Sequence, residues 1–66
     1  MYRELNKLRV GGRIRLRAGD FMPLAWRGGE AVITMVYGNR MVDATVIREG
    51  SAPVEDTFTR DEYEVV

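Results

Sequence analysis

The stretch that most constrains this chain runs from Glu30 to Arg48. Residues 30–37 and 40–48 are rich in β-branched side chains and flank Gly38-Asn39. Two such runs around a short Gly-containing loop read as a β-hairpin. Glycine tolerates the positive φ that a type II′ turn requires at its first central position, and asparagine suits tight turns. A two-residue loop here sets Tyr37 opposite Arg40, Met35 opposite Val42, Ile33 opposite Ala44 and Ala31 opposite Val46. Alternate residues of a strand share a face, so the expected core face is Ala31, Ile33, Met35, Val42, Ala44 and Val46. The other face carries Val32, Thr34, Val36, Met41, Asp43, Thr45 and Ile47. That mixed face reads either as a half-covered outer surface or as an interaction surface built on Val32, Val36, Met41 and Ile47.

The remaining segments are short enough to serve as cover for this hairpin. Tyr2 to Leu8 reads as a helical turn or an extended arm, and Gly11-Gly12 ends it. Arg13 to Arg17 alternates strictly, which turns Ile14 and Leu16 inward and lines Arg13, Arg15 and Arg17 along one solvent face. Ala18-Gly19-Asp20 is a turn. In the following Phe21-Met22-Pro23-Leu24-Ala25-Trp26, Pro23 cannot donate to a ladder, so the segment is a loop or an edge. Its two aromatics, Phe21 and Trp26, either plug the core or face a partner. Glu49 to Pro53 is a turn-rich connection, Val54 to Thr59 a strand with Phe58 buried, and Arg60-Asp61-Glu62 a single helical turn capped by Thr59. Tyr63 to Val66 is the closing strand.

With 66 residues the chain makes one domain, spanning 1–66, near the lower size at which one core sustains folding. It contains neither cysteine nor histidine. Disulfides, thiolate metal sites and imidazole acid–base work are thereby excluded, and stability must come from packing or from self-association. Hydrophobic residues at 45% and charged residues at 30% describe an ordinary globular composition. There is no secretory signal pattern and no apolar run of transmembrane length, so the expectation is a cytoplasmic protein without a membrane partner.

Strand, aromatic loop, long hairpin, strand, brief helical turn and final strand resemble, in that order, the SH3-like small barrel. That resemblance implies an all-β fold of five short strands around one core. The opening strand also resembles that of KOW-type domains of ribosomal and transcription proteins. The matching residues are Gly11 and Gly12, Ile14, Leu16, Gly19-Asp20-Phe21, and Gly29 ahead of Ala31-Val32. The loop from Phe21 to Gly29 is longer than that pattern has.

Catalytic sets are missing. Ser51 is the only serine and has no histidine partner, and the glycine pairs fit no phosphate-loop pattern. Glu55 and Asp56 are adjacent in a strand and point to opposite faces. The expectation is therefore no enzyme, no cofactor and no metal. Two binding functions stand open. The first is a protein-interaction module, an accessory or inhibitory factor, using Phe21, Trp26, Val36, Tyr37 and Met41. The second is a nucleic-acid binder using Arg13, Arg15, Arg17, Arg27 and Arg40, since arginines with nearby aromatics suit phosphate tracking. Charge is uneven: residues 1–33 hold seven basic and three acidic side chains, and residues 34–66 the reverse. The balanced total and a pI near 6.2 favour the protein partner. A homo-oligomer is compatible with either.

Overall fold

A computed structural model describes residues 8–66, so the expected N-terminal turn or arm lies, apart from Leu8, outside the described residues. Five antiparallel strands form one sheet in the order β4-β3-β2-β1-β5. They are β1 (Arg13–Leu16), β2 (Glu30–Val36), β3 (Val42–Val46), β4 (Val54–Phe58) and β5 (Tyr63–Val65). Short 3-10 turns occupy Leu24–Trp26, Gly38–Arg40 and Arg60–Glu62. Each strand pairs antiparallel with its sheet neighbour, and β4 and β5 are the two edges. Hydrogen bonds therefore leave the ladder open, and the expected barrel closure is not made by strand pairing.

The core follows the alternation read from the sequence. Ile14 and Leu16 are fully buried, and with them Ala31, Ile33, Val42, Ala44, Val46, Phe58, Tyr63 and the loop residue Met22. All five strands contribute to this single cluster, against which Leu8, Trp26, Val36 and Val65 pack from its margin. Apolar surface taken from water in this way is the main driving force for the fold.

The hairpin departs from expectation at its tip. The loop holds three residues, not two: Tyr37 N–H donates to the Met41 carbonyl at 2.7 Å, and Asn39 and Arg40 take left-handed φ of 59° and 60°. An odd loop length alone would swap the two faces of the hairpin. A bulge at Thr34 swaps them back, since Ile33 pairs with Ala44 while Met35 pairs with Asp43. Below the bulge, Ala31↔Val46 and Ile33↔Ala44 are as expected. Above it the sides exchange. Met35, expected in the core, is 49% exposed, and Val36, expected on the outer face, packs against the core.

The chain beyond β3 matches its sequence reading. Phe58 is buried, and the Arg60–Glu62 turn is closed by Thr59 N–H donating to Glu62 Oε1 at 2.8 Å and Glu62 N–H donating to the Thr59 carbonyl at 2.9 Å. This reciprocal bonding is how a short turn satisfies its own ends.

Candidate functional site

The β1–β2 loop is anchored from inside. Met22 is buried in the core, and Trp26 sits edge-on against Phe58 with ring centroids 6.1 Å apart. Arg27 Nε donates to the Met22 carbonyl at 2.9 Å, and its guanidinium lies 3.9 Å from Asp20. Gly28 and Gly29 then rejoin the ladder: Gly28 N–H donates to the Leu16 carbonyl and Leu16 N–H to the Gly29 carbonyl, both at 2.8 Å. Gly28 does this at φ 75°, a conformation that side chains rarely adopt. With the loop so tied, Phe21 is 54% and Leu24 79% exposed. The Phe21 ring lies across Gly19, where a Cβ would run into it. Trp26 thus serves chiefly as a half-buried brace, while Phe21 faces solvent. Leu24 is an exposed neighbour that sequence reasoning passed over, because an isolated leucine beside a proline carries no periodic signal.

At the far end of the hairpin, Tyr37 and Met41 face each other across the loop, Tyr37 exposed and Met41 half-buried. The Tyr37 hydroxyl donates to Asp43 Oδ2 at 2.6 Å, and the Thr57 hydroxyl donates to Asp43 Oδ1 at 2.6 Å. Beside them Thr34, the bulge residue, donates through Oγ1 to Glu55 Oε2. The hydroxyls of Thr57 and then Tyr37 hold the Asp43 carboxyl below the usual carboxylate range, since both bonds favour the charged form. The bonded and charged Asp43 in turn pushes the Tyr37 phenol up. The middle of the outer face is therefore an organised polar set. Val36 has no place on it, because the bulge turns that residue inward.

The five arginines singled out from the sequence do not act as one stripe. Arg13 and Arg15 both reach Glu30 on the neighbouring strand, at 3.5 and 3.8 Å. Arg27 braces its own loop. Arg17 lies just past β1, where its Nε donates to the Tyr63 carbonyl at 3.1 Å. Arg40 lies on the hairpin turn, and the Tyr63 hydroxyl donates to its carbonyl. These last two meet Arg60, of the turn before β5, along an open groove of about 480 Å³ that Asp61, Tyr63 and Glu64 also line. A second cleft of about 490 Å³, lined by Met41, Asn39 and Thr59, shares Arg60 and Asp61 with the first. Arg60 was missed at the level of sequence. No local pattern joins residues 17, 40 and 60, and only the tertiary fold brings them to one groove.

Among the described residues no three carboxylates converge on a point that could hold a metal ion. Nor, among those residues, is any helix long and apolar enough to cross a membrane. The arrangement sets out a braced loop with two outward apolar side chains, and a groove lined by three arginines. No family model, curated protein or solved structure matches this chain.

Proposed function

We propose that this chain is a non-catalytic, cytoplasmic interaction domain that binds another protein, an accessory or inhibitory factor that works by occupying its partner. The observation that carries this reading is the β1–β2 loop, which holds Phe21 and Leu24 in solvent while Met22, Trp26 and Arg27 fix its backbone. A loop already ordered in the free protein loses little freedom on binding, and large apolar side chains on it become effective anchors. Tyr37 and Met41 at the hairpin end are further contact residues of the same kind. Charge pairing supports a protein over a polyanion, because Arg13 and Arg15 share Glu30, and Arg27 lies beside Asp20. Asp43, Glu55 and Asp56 on β3 and β4 would also repel a phosphate backbone. The fold that accompanies this reading is an SH3-like small barrel. Its support is the strand order β4-β3-β2-β1-β5 with a 3-10 turn before the last strand, and the two ties that draw the open edges over one core, Trp26 to Phe58 and Tyr63 to Arg40.

The test places a photo-crosslinking residue at position 24, with a control at Ser51. The expected result is a protein adduct specific to position 24. The purified captured protein then binds the domain, and Phe21→Ser with Leu24→Ser weakens that binding at least about tenfold at unchanged melting temperature. Equal adducts from both positions, a second copy of this chain as the main adduct, RNA as the main adduct, or binding unaffected by the substitutions would overturn it.

A further inference from the structure

We propose that the groove between the end of β1, the hairpin turn and the turn before β5 binds one phosphate-class oxyanion, carried on a phosphorylated peptide segment of the partner. The groove stands on its own geometry; only the identity of the carrier rests on the protein-binding reading above.

Three arginines from three separate elements line it: Arg17, Arg40 and Arg60. Guanidinium forks match the oxygens of phosphate in paired hydrogen bonds, which is why such clusters recognise that group. The arginines elsewhere on β1 and in its loop are matched by carboxylates, but among the described residues neither Arg17 nor Arg60 takes part in an ion pair. Arg17 is fixed through Nε by the Tyr63 carbonyl, which orients the fork and leaves its Nη groups for a second acceptor.

The backbone adds an independent observation. Arg40 sits at φ 60°, in the left-handed region that arginine seldom adopts. The Tyr63 hydroxyl, bonded to the Arg40 carbonyl, ties that residue to the floor of the groove. Residues kept in such conformations by their surroundings cluster at binding sites. A two-residue turn at Gly38-Asn39 would have placed Arg40 on the ladder.

The remaining lining sets the size of the ligand charge. Asp61 and Glu64 stand on the same groove beside its three arginines. A run of phosphates would pass those carboxylates at a cost, whereas a single oxyanion seated among the arginines would not.

The experiment titrates the purified domain with inorganic phosphate at constant ionic strength, balanced with chloride, and follows amide and arginine Nε resonances. Saturable shifts at Arg17, Arg40, Arg60 and Tyr63 are expected. Arg60→Ala, at an exposed position, should weaken them at least about tenfold, the worth of a charge-assisted bond, with Arg13→Ala unchanged. Arg60→Lys, which keeps the charge and loses the fork, should fall between. Shifts that do not saturate, that chloride reproduces, or that Arg13→Ala and Arg60→Ala reduce equally would overturn the site. A second arm compares a phosphoserine peptide, its unphosphorylated form and single-stranded RNA. Phosphopeptide binding tighter than phosphate and dependent on Arg60 supports the carrier. Free phosphate binding as tightly as the peptide, or RNA binding more tightly than it, overturns the carrier and leaves the oxyanion site in place. Saturable, Arg60-dependent phosphate shifts in a protein whose Phe21 and Leu24 prove dispensable would separate failure of the protein-binding reading from failure of the groove.

Discussion

Removing the hydroxyl of Tyr63 isolates the bond on which the hairpin tip and the groove both depend. Tyr63 is 3% exposed on β5, and its hydroxyl donates to the Arg40 carbonyl 23 residues away. Phenylalanine fills the same ring volume, so Tyr63→Phe opens no cavity and removes the hydroxyl that donates to Arg40. The net worth of one such hydrogen bond is about 0.5–1.5 kcal/mol, rising toward about 3 where the abandoned acceptor stays dry. Arg40 is half-buried, so water reaches part of its surroundings and the expected loss is about 1 kcal/mol. For a domain of this size that corresponds to a fall in melting temperature of about 4–8 °C. The loss should also be local. Arg40 occupies a left-handed conformation that costs about 1–2 kcal/mol for a side-chain-bearing residue, and this bond helps hold it there. Amide exchange at Met41, whose N–H donates to the Gly38 carbonyl at 3.2 Å, should quicken more than exchange within β1. Urea denaturation paired with NMR-detected hydrogen exchange reads both quantities. A loss under about 0.3 kcal/mol with unchanged exchange at the tip would refute the reasoning, because a bond of ordinary worth could not then exist.

Two other outcomes follow from the core and from the outer face. Leu16 is fully buried, so Leu16→Ala should cost about 2–5 kcal/mol, as much as the whole stability of a domain this small, and circular dichroism at 25 °C should show it largely unfolded. Asp43 titrates below the usual carboxylate range in the folded chain, so its contribution is full above that range and is lost as pH falls through the lowered value. The Tyr37 phenol titrates above its usual range, so its contribution is full below that range and is lost as pH rises through the raised value. Asp43→Asn should flatten the acid limb of stability and return the Tyr37 phenol toward its ordinary range, as read by ultraviolet titration; an unmoved phenol would show that Asp43 is not its partner.

The sequence by itself determined which segments are strands, which of their faces is apolar, and the pairing of Ala31 with Val46 and of Ile33 with Ala44. Each follows from side-chain alternation along an extended backbone, a local property that a one-dimensional pattern records. Phe58 was legible for the same reason, and the turn closed by Thr59 and Glu62 from its capping residue. The tertiary structure decided the hairpin tip. A third loop residue and the bulge at Thr34 each shift the register by one and cancel, so the lower hairpin fits its sequence reading while Met35 and Val36 exchange sides. It decided the arginines as well. Alternation placed Arg13, Arg15 and Arg17 on one side of the chain, but Glu30 across the strand pair claims the first two. The tertiary fold sets the third on one groove with Arg40 and Arg60. The shared groove of residues 17, 40 and 60 depends on chain topology, which local periodicity does not encode.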